Sequence, residues 1–284
     1  MPQQKAETVK EFEFTRRDFE RVRALIYQRA GISLADSKQE MVYSRLARRL
    51  RATGIQSFGR YLDDLEAGRM TSEWESFTNA LTTNLTSFFR EAHHFPLLAE
   101  HLLQLKRQGG GPLTIWCSAA STGEEPYSIA MTACEAFNTL TPPVQVIATD
   151  IDTNVLATGA NGVYPMERVD KMAPERLRRF FLKGKGNHEG MARVRPELRQ
   201  LVSFRQLNLL ADGWPVDGPF DAIFCRNVMI YFDKATQRKI LSRFVPLMKP
   251  HALLFAGHSE NFLYVSDSLR LRGKTVYELD QRSA

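Results

Sequence analysis

The stretch that decides the fold is residues 115–126, IWCSAASTGEEP. An apolar run comes first, a turn of very small residues follows, and two carboxylates and a proline stand where a helix would begin. This order predicts a buried strand, a tight turn and the first turn of a helix, which together open a nucleotide-binding α/β sheet. A dinucleotide site would need the pattern Gly-x-Gly-x-x-Gly, so that backbone N–H groups can approach a pyrophosphate. The stretch lacks that pattern.

The turn has a single glycine, Gly123, and Glu124 and Glu125 place negative charge where a phosphate would bind. Electrostatic repulsion therefore argues against NAD and ATP. A cationic adenosyl compound without phosphate, such as S-adenosylmethionine, fits better because an acidic first turn can accept its hydrogen-bond donors. A purely structural interpretation stays open, because Ser121-x-x-Glu124 and Thr122-x-x-Glu125 both match the helix capping box.

A second strand is predicted over residues 144–150, VQVIATD, and it ends in an acidic side chain. Asp150 lies 26 positions after Glu124, about the offset at which βαβ folds place a carboxylate on ribose hydroxyls. An aspartate at a strand end can also cap a helix, but Asp152 is placed to be that cap. Asp150 is therefore predicted to be free for the ligand.

Length and composition limit the class of protein. The 284 residues are enough for two domains of ordinary size, and 43% hydrophobic with 25% charged residues is typical of a soluble protein. No apolar run approaches the ~18 residues of a membrane span, and the start, MPQQK, has no signal-peptide core. We expect a cytoplasmic protein without membrane insertion. The net charge of +6 suggests an acidic partner, which charge alone does not identify as nucleic acid, membrane or protein.

The thiols and imidazoles show no metal-binding pattern. Cys117, Cys134 and Cys225 are odd in number and have no C-x-x-C spacing, so we interpret them as small core residues rather than disulfide or zinc ligands. The histidines likewise lack the spacing of a metal site on one element. No metal is predicted.

Hydrophobic periodicity divides the chain into two parts. Four helices are expected, at residues 15–31, 38–53, 58–67 and 72–81. Thr15 is the predicted cap of the first helix and Gly31 its stop. Residues 1–90 are thus predicted to be an all-helical N-terminal domain with its linker, and residues 91–284 an α/β domain.

The second part alternates strands and helices. We expect a helix over residues 95–106, strands over 201–208, 220–225 and 252–257, and a helix over 234–248 that Pro250 stops. Residues 269–279 alternate about a Gly-Lys turn, which predicts a hairpin. The long crossover over about residues 160–200 is predicted to be an insertion with structure of its own.

Four blocks carry a family likeness: residues 81–91 (LTTNLTSFFRE), 121–128 (STGEEPYS), 148–152 (ATDID) and 220–232 (FDAIFCRNVMIYF). In this order they strongly resemble the bacterial chemotaxis receptor methyltransferases, the CheR family. The resemblance implies a class I S-adenosylmethionine-dependent methyltransferase fold, Rossmann-like with a mostly parallel seven-stranded sheet, an all-α N-terminal domain and a small antiparallel β-subdomain inserted. It also implies methyl transfer from S-adenosylmethionine to chemoreceptor glutamates, which releases S-adenosylhomocysteine, by a monomeric enzyme.

The resemblance assigns roles residue by residue. It places Arg90 and Tyr231 beside the reacting methyl group, and it favours Glu125 over Glu124 as the ligand-facing acid. The residues that it implies as cofactor contacts are Asn84, Thr86, Arg90, Glu125, Asp150, Asn208, Leu209, Arg226 and Asn227.

The resemblance also suggests two receptor-docking surfaces. Arg45, Arg48 and Arg49 form a basic helix face that is similar to the surface meeting the cytoplasmic helical bundle of the receptor, although a solvated face would look the same. Gly184, Gly186, Gly190 and Arg193 resemble the loop that docks the C-terminal pentapeptide of some receptors, although they also suit a flexible hairpin tip.

The expected chemistry needs little acid–base help, because a glutamate of pKa ~4.3 is already ionised at neutral pH. Positioning of the reacting atoms is then the main task. Two other functions stay open: methylation of nucleic acid, suggested by the basic charge, and a regulator that binds without turnover. Residues 227–231, NVMIY, depart from the Asn/Asp-Pro-Pro-Tyr/Phe sequence of many amino-group methyltransferases. That departure weighs against a nucleic-acid substrate.

Overall fold

The computed structural model describes residues 10–109, 111–263 and 265–280. The chain divides into two compact units, the first ending at Thr82 and the second beginning at Thr83. Residues 83–90, which the sequence assigned to a linker, thus belong to the second unit. Among the described residues no helix combines the length and the apolar character that a membrane span requires.

The first unit is all-helical. It contains α1 (Arg16–Ala30), α2 (Gln39–Thr53), α3 (Phe58–Glu66) and α4 (Glu73–Leu81), with a short 3-10 helix, Asp36–Lys38, before α2. Thr15 caps α1 in a capping box with Asp18, and Gly31 ends it in the left-handed conformation, so both sequence predictions are confirmed. The helices bury an apolar stripe, which includes Phe19, Val22 and Ile26 of α1 and Val42, Leu46 and Leu50 of α2.

The second unit is an α/β domain. Its helices are α5 (His94–Arg107), α6 (Glu124–Ala136), α7 (Thr153–Asn161), α8 (Pro174–Phe180), α9 (Pro196–Arg199) and α10 (Lys234–Phe244). Its strands are β1 (Leu113–Cys117), β2 (Val144–Asp150), β3 (Val163–Pro165), β4 (Phe181–Lys183), β5 (Met191–Val194), β6 (Val202–Gln206), β7 (Phe220–Cys225), β8 (Met248–Ala256), β9 (Leu269–Gly273) and β10 (Val276–Leu279). Four short 3-10 helices lie at Met166–Arg168, Gly186–His188, Met229–Tyr231 and Val245–Leu247.

Seven of these strands form one sheet in the order β6-β2-β1-β7-β8-β10-β9. The first five are parallel, and β10 pairs antiparallel with β8 and β9, which confirms the predicted closing hairpin. In β7, Ala222 and Phe224 belong to one core cluster and Ile223 and Cys225 to the other. The strand is buried throughout because both faces of a parallel sheet are covered. The carboxyl ends of β1, β2, β6 and β7 meet at one edge, where such sheets bind ligands.

The helix predicted over residues 234–248 is wrong at its end. Helix α10 stops at Phe244, a 3-10 turn containing Pro246 follows, and β8 begins at Met248 and includes Pro250. Pro250 is tolerated in the strand because the pairing of β7 with β8 shifts register between Phe220 and Ala222, opposite this position. A strand residue outside the regular ladder needs no N–H to donate.

The predicted insertion is a three-stranded antiparallel sheet in the order β3-β5-β4. Val163 pairs with Arg193 and Phe181 with Val194, so β5 is central and β3 and β4 are the edges. This small sheet and the seven-stranded sheet agree with the fold class that the resemblance implies.

Candidate active site

The turn between β1 and α6 is built around Gly123. This residue, and neither Ser121 nor Thr122, is the N-cap of α6, and no side chain caps the helix, so the capping-box interpretation is wrong. Gly123 has a φ of 99°, and a Cβ there would lie 2.7 Å from the hydroxyl of Tyr164 and 2.8 Å from the Cα of Gly159. Only glycine fits a left-handed position with such close neighbours.

The carboxylate of Glu124 bonds to other side chains of the protein. Its side chain is fully buried, forms an ion pair with Arg168 of the inserted segment, and accepts a hydrogen bond of 2.6 Å from the Thr122 hydroxyl. Tyr164, also in the insertion, donates to the Thr122 carbonyl at 2.7 Å. Because Glu124 is fully committed to these partners, Glu125 is the acid of this turn that lies with the other candidate residues.

Asp150 ends β2 with only 9% of its surface exposed. Its Oδ2 accepts from the Ser121 N–H at 2.8 Å and its Oδ1 from the Asp152 N–H at 3.0 Å. Asp152 caps α7 as predicted, and the binding of the ligand by Asp150 stays a prediction. Burial raises the pKa of Asp150 to about 6. An ionised carboxylate has about four acceptor sites, so these backbone bonds do not use up its capacity to accept from a ligand.

Arg226 lies in a buried ionic network at the end of β7. Its fully buried guanidinium is 2.7 Å from Glu125 Oε2 and 3.3 Å from Glu91 Oε2, and it donates to the Arg90 carbonyl. Glu125 also accepts from the Cys117 thiol at 3.3 Å. Burial raises the pKa of Glu125, while the positive charge of Arg226 opposes that rise. Arg226 therefore orients Glu125 and Glu91 from inside the protein.

The segment that precedes α5 follows the same edge of the sheet. Asn84 donates from Nδ2 to Asp152 at 2.8 Å, and its carbonyl accepts from the Ser121 hydroxyl at 3.0 Å. Arg90 donates to the Leu85 carbonyl at 2.8 Å. Its positive charge, like that of Arg226, opposes the rise that burial causes in the pKa of Glu125. Thr86, between them in sequence, is half-buried.

The loop after β7 carries the remaining predicted residues. Asn227 has a φ of 57° and donates from Nδ2 to Glu91 Oε1 at 3.2 Å. Tyr231, in the following 3-10 helix, is half-buried. On the other side of β2, the Leu207 N–H donates to the Asp150 carbonyl at 2.9 Å, which brings Asn208 and the buried Leu209 to the same edge.

The predicted cofactor residues thus converge on one edge of the sheet. Two acids of this region were missed by sequence reasoning: Glu91, which binds Arg226 and Asn227, and Glu260, which binds the loop after β7. Glu91 directly follows Arg90 in a quoted block, and Glu260 follows the last buried residues of β8. Glu260 lies four residues after β8 ends at Ala256, and an acid so close to the end of a buried strand was the signal that could have identified it.

One histidine cluster lies beside this network. Ligand atoms of Glu91, His93 and His94 lie within 4.8 Å of one another. The Arg226 guanidinium at 3.3 Å from Glu91 would repel a cation, and His94 Nε2 is within 3.0 Å of the Lys274 carbonyl. Burial lowers the pKa of His94 to about 4. This donor set does not fit a metal ion.

The predicted basic face lies in the first unit, on α2. Arg49 makes two bonds of 2.8 Å to the buried Glu73, which also accepts from the Tyr61 hydroxyl at 2.8 Å. Arg45 donates to the carbonyls of residues 80 and 82. Arg48 is exposed. Two of the three arginines therefore stabilise the helical unit itself.

The glycine loop has the backbone that its sequence suggests. Gly186 and Gly190 have φ values of 57° and 80°, and a Cβ at Gly184 would lie 1.9 Å from the His188 carbonyl oxygen. Arg193 is exposed on the central strand β5. The three glycines are required by the shape of the turn.

S-Adenosylmethionine fits the residues at the sheet edge. Asp150 retains acceptor sites, Gly123 lets the turn pass close to the strands, and the donors include amides and guanidiniums. Among the described residues, the buried Nε of Arg226 has no hydrogen-bond partner. Acidic residues at the start of α6 disfavour phosphate.

This sheet, with an acidic ligand-binding edge that disfavours phosphate, defines a class I S-adenosylmethionine-dependent methyltransferase. The family model for the CheR methyltransferase, SAM binding domain, matches residues 84–277, and the model for the CheR methyltransferase, all-alpha domain, matches residues 17–82. The chain belongs to the CheR methyltransferase family. Its cofactor is S-adenosylmethionine, and its function is S-adenosylmethionine-dependent methylation in chemotaxis.

Relatives match over nearly the whole chain. The chemotaxis protein methyltransferase of Escherichia coli is 56% identical over 93% of this chain and 91% of the relative. The chemotaxis protein methyltransferase of Salmonella typhimurium is 56% identical over 94% of this chain and 91% of the relative. Chemotaxis protein methyltransferase 2 of Pseudomonas aeruginosa is 56% identical over 94% of each chain.

Binding of S-adenosylhomocysteine should depend on pH through Asp150. With a pKa of about 6, the Asp150 carboxylate, which is predicted to accept from the cofactor, is mostly protonated at pH 5. We therefore expect binding about tenfold weaker at pH 5 than at pH 7.5. The folded pKa is raised above the unfolded value, so the free energy of unfolding should fall as pH rises from ~4 to ~6. Calorimetric titration across this range measures the binding, and Asp150→Asn should flatten its pH dependence. A wild-type affinity that does not change with pH would contradict the assignment.

Proposed function

We propose that the chain methylates glutamate side chains on the cytoplasmic helical bundle of chemoreceptors, forming glutamate methyl esters. The observation that carries this proposal is that the backbone carbonyls of the loop after β7 already accept hydrogen bonds within the protein. Gln237 donates from Nε2 to the carbonyls of Met229 and Phe232, at 2.8 and 3.0 Å, and the Val228 carbonyl accepts from the Tyr231 N–H. These carbonyls are therefore already bonded and are poor acceptors for a substrate amino group. A carboxylate, which donates nothing when ionised, suits this loop better.

The charges near the site also favour a carboxylate acceptor. Arg90 is half-buried and bonded to a backbone carbonyl, so its guanidinium keeps donors available for a second partner. Because a glutamate is already ionised at neutral pH, no general base has to remove a proton. The work left to the protein is alignment of the attacking oxygen.

We assign roles as follows. Asp150 would accept from the ribose hydroxyls, with Asn208 and Leu209 lining the same end of the site. Asn84, Thr86, Arg90, Glu125, Arg226 and Asn227 would hold the remaining cofactor groups, directly or through their partners. When bound, the sulfonium of S-adenosylmethionine supplies an activated methyl group. Arg90 and Tyr231 would orient the acceptor carboxylate beside it.

Two surfaces would bring the receptor to the enzyme. The exposed Arg48, with Arg45 and Arg49 on the same helix, would attract the acidic receptor helices. The small antiparallel sheet, with Gly184, Gly186, Gly190 and Arg193, would dock the C-terminal pentapeptide of receptors that have one. The enzyme would act as a monomer in the cytoplasm, since the acceptor bundle lies there.

Transfer of tritiated methyl groups tests the proposal. The protein is incubated with labelled S-adenosylmethionine and receptor-containing membranes, or with nucleic acid. Label on the receptor that alkali releases as methanol is expected. Alkali-stable label on nucleic acid, or cofactor binding without label on either, would reject glutamate ester formation. Membranes without receptor serve as the control.

Charge reversal of Arg48 should weaken the reaction with the receptor. Arg48→Glu is expected to raise the KM for receptor about tenfold at low salt and to leave the affinity for S-adenosylhomocysteine unchanged, because it replaces attraction by repulsion at the surface. The effect should shrink as salt screens the charges. Arg17→Glu is the matched control, since Arg17 is also exposed on a helix of the first unit. Equal effects of both variants would show that only net charge matters.

A further inference from the structure

We propose that Glu260 is a positioning residue for methyl transfer: its buried carboxylate fixes the loop of residues 226–232, which carries Asn227 and Tyr231. The inference deepens the proposed function, because it relies on the role given there to Tyr231. Glu260 follows β8, and its carboxylate bonds to backbone N–H groups of the loop rather than to the side chains assigned to the reaction. It acts through the backbone of the loop.

The contacts of Glu260 are concentrated on that loop. Only 4% of its surface is exposed. Oε1 accepts from the N–H groups of Val228 and Met229 at 2.9 and 2.8 Å. Oε2 accepts from the N–H groups of Asn227 and Gly257 at 2.9 and 2.5 Å. A single carboxylate thus holds three successive N–H groups of the loop and one from its own turn.

The loop needs such an acceptor because of its shape. Successive N–H groups can point at one site only if the backbone curves, and concave backbone of this kind favours an anion. Here the curve places Asn227 at a φ of 57°, in the left-handed region that, apart from glycine, mainly Asn and Asp adopt. Without the carboxylate, the N–H groups of Val228 and Met229 would lose their acceptor in a largely buried place. The loop would then relax toward another conformation.

The opposite face of the loop is held by a different residue. Gln237 of α10 donates to the Met229 and Phe232 carbonyls, so the N–H groups and carbonyls of the loop are bonded on two sides. Tyr231 lies between these carbonyls, in the 3-10 helix Met229–Tyr231. Its position therefore follows from the loop backbone that Glu260 and Gln237 fix together.

The site also leaves no room beside Glu260. A Cβ at Gly257 would lie 2.7 Å from Glu260 Oε2 and 2.8 Å from the Asn227 nitrogen. Glycine at this position lets the backbone of the turn approach the loop, and the carboxylate fills the space between them. Gly257 and Glu260 therefore act together: the glycine allows the close approach, and the carboxylate bonds the loop.

The chemistry requires a carboxylate and not an amide. Glutamine has one acceptor oxygen and one NH₂ group, which is a donor. In either orientation of the amide, two backbone N–H groups would face the NH₂ group and lose their bonds. Glu260→Gln should therefore disturb the loop although it preserves side-chain volume.

The experiment compares Glu260→Gln with Asp221→Asn in the full chain. Asp221 is a matched control: its buried carboxylate accepts from the Thr114 N–H at 2.8 Å, but at the amino end of β7. Both variants should have a lower Tm. Only Glu260→Gln should lower kcat, by about 100-fold, the usual effect of a displacement of ~1 Å. The affinity for S-adenosylhomocysteine should change by less than the kcat does.

Amide NMR gives a readout independent of turnover. In ¹⁵N-labelled protein, the amide protons of Asn227, Val228 and Met229 should move upfield in Glu260→Gln and stay unchanged in Asp221→Asn. If Glu260→Gln does not fold, Glu260→Asp is used, which keeps the charge but shortens the reach, and should show a smaller loss of kcat. A kcat within threefold of wild type in a folded Glu260→Gln variant, or equal losses of kcat in Glu260→Gln and Asp221→Asn, would overturn the proposal. If the amides are shifted while kcat stays normal, Glu260 fixes the loop but the role given to Tyr231 is rejected as well.

Discussion

Replacement of Arg226 by methionine is expected to lower the free energy of unfolding by about 3–5 kcal/mol and to remove measurable binding of S-adenosylhomocysteine. The Arg226 guanidinium lies within 2.7 Å of Glu125 and 3.3 Å of Glu91. Its loss leaves the buried Glu125 carboxylate beside Glu91 without a cation, and breaking one side of a buried ion pair has a cost of that size. Denaturant unfolding and calorimetric titration measure the two effects.

The pH dependence and a second variant test the cause. In Arg226→Met the pKa of Glu125, which burial already raises, should rise further. When the pKa of a carboxyl group is higher in the folded than in the unfolded protein, the free energy of unfolding falls as pH rises between the two values. The variant should therefore be less destabilised at pH 5 than at pH 7.5, and adding Glu125→Gln should restore part of the stability. Arg49→Met is the matched control, because it breaks the Arg49–Glu73 pair of the helical unit and should not affect cofactor binding. A pH-independent loss would show that volume, rather than charge, is responsible.

Arg90→Ala should mainly weaken binding of S-adenosylhomocysteine, whereas Tyr231→Phe should mainly lower kcat. Arg90→Ala is expected to weaken binding of S-adenosylhomocysteine by about 10–100-fold, because hydrogen bonds to a charged group contribute ~1.5–3 kcal/mol. Tyr231→Phe should lower kcat by a similar factor and leave that affinity within about threefold, because it removes one hydroxyl that acts on the aligned acceptor. Calorimetry and methyl-transfer kinetics on the two proteins separate binding from turnover.

The control for this pair is Tyr27→Phe, which removes a hydroxyl from an exposed tyrosine of the helical unit. It should change neither quantity. Equal losses of affinity in Arg90→Ala and Tyr231→Phe would contradict the division of roles. An unchanged kcat in Tyr231→Phe would show that the Tyr231 hydroxyl does not orient the acceptor carboxylate and that Arg90 alone has this role.

Much of the fold was predictable because its signals are local. The buried strand over residues 113–117, the acid at the end of β2 and the alternation around the final hairpin depend on neighbouring residues in sequence. The capped ends of α1, Thr15 and Gly31, are likewise set by residues a few positions apart. Periodicity and capping are reliable where the physics is short-ranged.

The errors arose where distant contacts decide the structure. Two capping-box patterns pointed to Ser121 or Thr122, yet Gly123 caps α6, because Tyr164 and Gly159 approach it closely. The sequence of β2 also does not reveal that the Ser121 N–H would donate to Asp150. Pro250 looked like a helix stop because the register shift opposite it belongs to another strand.

In the candidate site, too, local motifs were predictable and distant contacts were not. The sequence predicted the motif residues Glu125, Asp150 and Asn227 as cofactor contacts, and the structure brings them to one edge of the sheet. Their supports were not identified, because Glu91 and Glu260 are ordinary acids until the fold places them against Arg226 and the loop N–H groups. Burial, and not residue type, distinguishes such acids from solvated ones.

The bonds between the inserted sheet and the turn before α6 have a consequence for protein engineering. The insertion interrupts the chain as if it were a separable module, yet Tyr164 and Arg168 bind Thr122 and Glu124 directly. A chimaera that receives a foreign insertion lacking Arg168 would leave the fully buried Glu124 without a counter-ion, a situation that destabilises a protein strongly. Grafts between homologues should therefore transfer residues 121–124 together with the insertion, as one unit.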